Sequence, residues 1–250
     1  MNDGEDLSLH GIRISPGQLE LLLSQIKLEP VAWLRTPWIR RHLADLRLNK
    51  LTAEDFRVYG IEAPDVLLDP QEYLENYRDY LRPERKDRLI TPLGTIDIIR
   101  VGAPKFNLLT IGPLGEAELL AYMGIGFDLE NIHGVDLVSH NSLVQTGDMH
   151  HLPFADNFFH LVVLGWSLSY SKNPQRVADE VMRVSGTGRY IAVGADYAPG
   201  GRTPDGLTTF QSTEEILDLF EGHVGTVFFR HDVHPSLRSK PGDLMVIFRT

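Results

Sequence analysis

Two acidic residues stand just past apolar runs of strand length. Asp136 ends Gly134-Val135-Asp136, and Asp148 lies in Gly147-Asp148-Met149. A further apolar run, Phe106 to Ile111, leads into the turn Ile111-Gly112-Pro113-Leu114-Gly115. Glycine in such a turn lets backbone approach a ligand closely. In an open α/β sheet the ligand crevice lies outside the carboxyl ends of the strands. The three features together predict a nucleoside-like ligand at that edge. Trp166 and Tyr170 follow another apolar run and stand at the same kind of strand end.

Histidine offers a second chemistry. His150-His151 follows Asp148 directly, and either ring titrates near neutrality, as a general base must. Adjacent residues on a strand point to opposite faces, so the pair does not converge on one metal. His231-x-x-His234 lacks an apparent third ligand. No metal is expected. The chain has no cysteine, which removes disulfides, thiolate metal sites and cysteine nucleophiles.

The elements that must position these groups alternate. Strands are predicted at Phe106–Ile111, Ile132–Asp136, Leu143–Gln145, Phe158–Leu164 and Tyr190–Val193. Helices are predicted at Glu116–Met123 and from Asn173-Pro174 to about Val184. Such alternation implies βαβ units and a parallel sheet. A Gly/Pro/Thr loop spans 196–211, and Ser212 with Glu215 caps a short helix. Val224–Arg230 and Leu244–Phe248 read as a last, antiparallel hairpin. The predicted fold class is α/β, a Rossmann-like doubly wound, mostly parallel seven-stranded sheet with an antiparallel C-terminal hairpin and an N-terminal helical extension.

The extension is read from helix starts. Ser15-Pro16 with Gln18, Thr36-Pro37, Thr52 with Asp55, and Asp69-Pro70 with Glu72 follow one another before Pro83. The acidic start to about Leu9 is expected to fray. Trp33, Trp38, Tyr73 and Tyr77 would pack the extension on the main domain or line a pocket. Ile96, Ile98, Ile99 and Val101 suggest a short strand, and 102–104 punctuate it. The expected division is 1–100 as extension, serving as lid or docking element, and 101–250 as sheet domain.

Composition narrows the partners. The 250 residues carry a net charge of −10 without a prominent basic block, so no nucleic acid is expected. No run of about 18 apolar residues occurs, so no membrane span is expected. The polar first residues do not read as a signal peptide, and the expected location is cytoplasmic.

The order of pieces resembles the class I S-adenosylmethionine-dependent methyltransferase superfamily, of the type 11-like kind. The turn Ile111 to Gly115, Gly134-Val135-Asp136, Gly147-Asp148-Met149 with Leu152-Pro153-Phe154 and Asp156, the run Phe158–Leu164, and Glu180-Val181-Met182-Arg183-Val184 carry the resemblance. It covers roughly 106–195. It implies S-adenosylmethionine as cofactor, with Asp136 and Leu137 at the ribose, and Asp148 and Met149 at the adenine. Gly112, Pro113, Leu114, Gly165 and Trp166 would lie toward the methionine end. The acceptor would be a small molecule, a saccharide or other biosynthetic intermediate, faced by Trp166, His150, His151 and Tyr170. The pattern departs at Thr110, where the family has an acid, and at Leu114, where it has a glycine. Glu116 is the nearby carboxylate that could stand in. The departures motivate an alternative, an inactive methyltransferase-fold protein that binds a partner. A nicotinamide dehydrogenase is less well matched, because Gly112-x-x-Gly115 lacks the full Gly-x-Gly-x-x-Gly pattern. The N-terminal helices could dock on their own chain or form a homo-oligomer.

Overall fold

The computed structural model describes residues 7–9, 12–28, 33–60, 65–67, 88–113, 115–201, 203 and 206–250. The chain opens with a small antiparallel pair, β1 (Leu7–Leu9) and β2 (Ile12–Ile14). The expected fraying at Leu9 is therefore corrected: Leu7 and Leu9 pair with Ile14 and Ile12. Helix α1 (Pro16–Leu28) follows. Its capping box is reciprocal, with Gln18 N–H donating to Ser15 Oγ and Ser15 N–H donating to Gln18 Oε1. Helix α2 (Pro37–Leu48) starts on proline, and a 3-10 turn at Ala53–Asp55 precedes β3 (Arg57–Val58). The helix start at Asp69-Pro70, with Tyr73 and Tyr77, lies outside the described residues.

Residues 90–102 form two short helices, α3 (Ile90–Thr95) and α4 (Asp97–Gly102), in place of the expected strand. The reason is the spacing of burial. Leu93 and Ile99 are fully buried, whereas Ile98 and Val101 lie 49% and 68% exposed. Inward positions recur every three to four residues, so the run is helical despite its β-branched composition.

The sheet begins with β4 (Leu108–Ile111), followed by α5 (Glu116–Met123), β5 (Ile132–Asp136), β6 (Val138–Ser139) and β7 (Val144–Thr146). Then come β8 (Leu161–Gly165), α6 (Pro174–Ser185), β9 (Tyr190–Tyr197), α7 (Thr213–Asp218), β10 (Thr226–His231) and β11 (Gly242–Arg249). The seven-stranded order is β10-β11-β9-β8-β4-β5-β7. β7, β5, β4, β8 and β9 run parallel, and β11 is antiparallel to both its neighbours. This is the expected Rossmann-like fold.

Each strand residue faces one of two cores. Leu109, Ile111, Val162, Leu164, Ile191 and Val193 meet α6 and α7 through Val177, Val181, Val184, Ile216 and Leu217. Leu108, Leu161, Val163 and Ala192 meet α3, α4 and α5 through Leu93, Ile99, Leu119 and Met123. Burial on both faces explains the continuous apolar runs. The chain leaves β4 for β5 and β7 on one side, then returns to β8 and β9 on the other. The order thus reverses at the carboxyl end of β4, which is where a crevice opens in such sheets.

Candidate functional site

The turn after β4 is built for close contact. Gly112 has φ +69°, and its N–H donates to Val135 O at 2.8 Å. A Cβ placed on Gly112 would lie 2.6 Å from Ser167 Cβ, so the β4 and β8 ends meet there only because the side chain is missing. Pro113 is buried, and its ring lies 3.2 Å from where a Cβ on Gly134 would sit. Gly115 leads into α5. Leu114 and the side chain of Glu116 lie outside the described residues.

Next to this turn sits a group that the sequence did not single out. Glu118 is 8% exposed, and its Oε1 accepts from the Thr110 hydroxyl at 2.9 Å. Oε1 is also 3.5 Å from where a Cβ on Gly165 would lie. Tyr122 lies one helical turn on, beside Glu118 and Thr110. Burial first, and the Glu118 charge second, push its hydroxyl pKa well up. A carboxylate from α5 thus stands against Thr110. The signal lay in helix spacing, since Glu118 and Tyr122 are four apart and share the face that Leu119 helps bury.

Asp136 lies half-buried at the end of β5, its Oδ1 accepting from Val138 N–H at 3.4 Å. Leu137 is buried behind it, and Leu137 O accepts from Tyr59 N–H at 2.7 Å. β3 pairs with β6 immediately beyond. Asp148 is 8% exposed and Met149 packs into the core beside it. Asp148 Oδ1 accepts from His150 N–H at 2.9 Å and from His150 Nδ1 at 2.7 Å. Burial pushes the Asp148 carboxyl pKa up, but the His150 hydrogen bonds more than offset it and leave the value lowered.

The loop after β8 closes the site. Gly165 pairs with Gly194, and Trp166 takes a left-handed conformation at φ +64°. A non-glycine residue there stores about 1–3 kcal/mol and persists only when held. Trp166 is held by its N–H to Gly194 O at 2.9 Å, its indole N–H to Asp243 Oδ1 at 3.1 Å, and Arg88 stacked 4.1 Å above the ring. Gly194 makes room, since a Cβ there would meet the ring at 2.8 Å. Ser167 is 8% exposed, and its hydroxyl has no hydrogen-bond partner among the described residues. Tyr170 is half-buried, and Tyr170 O accepts from Leu67 N–H at 2.7 Å.

The histidines separate. His150 is 3% exposed with both ring nitrogens engaged, by Asp148 and by Ser171 Oγ at 2.7 Å. That placement corrects the expectation that it faces an acceptor as a base. His151 is exposed. Among the described residues no three His, Cys, Asp or Glu side chains are grouped to hold a metal. His160 stacks on Phe106 and accepts from Asn107 N–H at 3.1 Å through Nδ1.

The donor set suits an amino-acid nucleoside. An unpartnered buried hydroxyl, Ser167, lies beside the Gly112 turn, and two carboxylates flank the next strand ends. Residues 111–193 match the family model described as a methyltransferase domain. No curated protein matches the chain. A chain in the complex of the Haloferax volcanii Trm112 methyltransferase activator with a methyltransferase-type partner is similar at 13% identity. That alignment covers 72% of this chain and 96% of that one, with a TM-score of 0.50. A Thermotoga maritima structure described as a SAM-dependent methyltransferase, possible histamine N-methyltransferase, is 17% identical over 72% of this chain and 97% of that one, with a TM-score of 0.48. Geranyl diphosphate C-methyltransferase from Streptomyces coelicolor is 14% identical over 84% and 97%, with a TM-score of 0.49. The family match and the fold bear out the resemblance to the class I methyltransferase superfamily.

Proposed function

We infer that this chain, which carries a methyltransferase domain on the class I fold, transfers a methyl group from S-adenosylmethionine to a small-molecule acceptor. The observation that carries this reading is convergence at the β4 switch point. The Gly112 turn, the unpartnered Ser167 hydroxyl, Asp136, Asp148 and Gly165-Trp166 all lie at the carboxyl edge. Asp136 would take the ribose hydroxyls and Asp148 the adenine amino group. Ser167, Gly112 and Pro113 would hold the amino-acid end, with Glu118 behind them. When bound, the cofactor supplies a methyl group already activated on a sulfonium. What remains for the chain is to align an acceptor, exclude water and receive a proton where the acceptor carries one.

On the acceptor side stand Trp166, Tyr170, His151 and Asp196 near the end of β9. Asp196 combines a carboxyl group with raised proton affinity and a half-buried position. The N-terminal segment fits a cover docked on its own chain. Tyr59 N–H bonds Leu137, while Val66 and Leu67 pair with Ser171 and Tyr170. A saccharide or other biosynthetic intermediate is the acceptor class we favour. The alternative of an inactive binding protein rests on Thr110 and Leu114, and the Glu118–Thr110 bond counts against it.

Calorimetric titration with S-adenosylhomocysteine tests the assignment. Wild type is expected to bind, and Asp136→Ala to bind at least about tenfold more weakly, the equivalent of 1.4 kcal/mol. Equal affinity in the two proteins would remove Asp136 from the site.

A further inference from the structure

The buried chain Asp148–His150–Ser171 has no part in methyl transfer itself, yet both ring nitrogens of His150 are committed within it. Asp148 Oδ1 accepts twice from His150. His150 Nε2 meets Ser171 Oγ at 2.7 Å, and Ser171 Oγ accepts from Asn173 N–H at 3.0 Å. A carboxylate only accepts, so the proton of a neutral His150 ring sits on Nδ1 and is given to Asp148, and Nε2 accepts from the Ser171 hydroxyl. His150 O is also fixed, accepting from Arg176 Nε at 3.1 Å. The order of groups is that of a hydrolytic triad, but Ser171 is fully buried and cannot meet a substrate. The chain must act on Asp148.

Both His150 donors, its backbone N–H and Nδ1, converge on Oδ1. Among the described residues none donates to Asp148 Oδ2. We propose, on the S-adenosylmethionine reading above, that His150 is a positioning residue for purine selection. It turns Asp148 so that Oδ2 receives the 6-amino group of adenine. Through Ser171 it fastens that carboxylate to the 166–172 loop on the acceptor side. An ionised carboxylate accepts from a 6-amino purine and is repelled by the carbonyl oxygen of a 6-oxo purine. The site should therefore discriminate between them as sites built around a hydrogen bond do. The lowered Asp148 pKa is consistent with a carboxylate kept ionised for this purpose.

The test compares S-adenosylhomocysteine with S-inosylhomocysteine by calorimetry on wild type, His150→Phe and His150→Asn. Wild type is expected to prefer the adenosyl ligand by at least about tenfold, as a hydrogen bond to a charged group provides. His150→Phe removes the ring donor to Oδ1, leaving only the backbone N–H, and should lower that preference at least fivefold. Asparagine keeps an amide donor near the Nδ1 position and should restore most of it. A general loss of order would weaken both ligands alike and leave the ratio unchanged. If His150→Phe does not fold, Ser171→Ala severs the far end of the chain and takes the same comparison. An unchanged ratio in the donor-removing variant, or no preference in wild type, overturns the proposal while leaving cofactor binding intact. Failure of wild type to bind either ligand overturns the methyltransferase reading, and the proposal with it.

Discussion

At the residue scale, the groups at the carboxyl edge of the sheet were legible because each ends an apolar run. Gly112, Asp136, Asp148 and Trp166 stand at or just past the ends of β4, β5, β7 and β8. The bonds among them were less legible. His150 is tied to Ser171, 21 residues away, and no local pattern announces that contact. Glu118 could have been found, because its i+4 partner Tyr122 lies on the buried face of α5. Asp196 leads to a prediction at this scale. Burial chiefly raises its carboxyl pKa from the ordinary 3.8. The Asp243 charge adds to this, and Ser169 and Arg88 oppose it. A raised folded-state value means that ionisation of Asp196 costs stability. The loss begins as pH rises through 3.8, where the unfolded chain ionises, and is complete once pH passes the folded-state value. Asp196→Asn should therefore melt above wild type at neutral pH, with the difference vanishing in acid below pH 3.8. Thermal melts across pH check this, and a variant that melts lower at pH 7 would contradict it.

At the element scale, helix starts and buried strands were readable from caps and period. Helix α5 and strand β5 match their expected bounds, and α6 begins at Asn173-Pro174, where the Asn173 side chain accepts from Arg176 N–H. The 90–102 run was misread because four β-branched residues outweighed their three-residue spacing of burial. The pairs β1–β2 and β3–β6 were missed for a different reason. Strands of two or three residues carry too little alternation, and the partner of Arg57 is Ser139, 82 residues on. Helix α6 also secures the loop that carries the His150 region. Arg183 binds Glu180 through Nε and Nη2 at 2.8 Å each, Phe154 O at 2.8 Å, Leu152 O at 2.9 Å and Asp156 at 2.7 Å. The bonds to Glu180 first and to Asp156 second raise its pKa further. The Asp156 arm is exposed and screened by water, so the stability gained comes mainly from the bonds to Glu180 and the two carbonyls. Arg183→Leu should cost about 1.5–3 kcal/mol, as hydrogen bonds to a charged group do. In a chain of this size that lowers Tm by about 3–12 °C. A circular-dichroism melt measures it, and an unchanged Tm would mean that the loop is held by packing alone.

At the scale of the whole molecule, the strand order follows from elementary rules. A parallel sheet buried on both faces needs helices on both, and reversal of direction at β4 leaves one crevice at its carboxyl edge. The seven strands and the C-terminal hairpin were expected; the N-terminal contacts that cross this edge, at Tyr59–Leu137 and Leu67–Tyr170, were not. They lie on the N-terminal segment of the same chain and border the Leu137 end of β5 and the loop after β8. The candidate site is thereby bordered by parts of the sequence that are distant from one another. The most direct measurement is a thermal shift with S-adenosylhomocysteine set against NADH. A ligand at about 100 times its Kd adds about 2.7 kcal/mol. For a chain of this length that is roughly 5–10 °C. A rise of this size with S-adenosylhomocysteine and none with NADH is the expected result. A folded sample that does not respond to S-adenosylhomocysteine, or that responds to NADH instead, would contradict a methyl-donor site at the β4 edge.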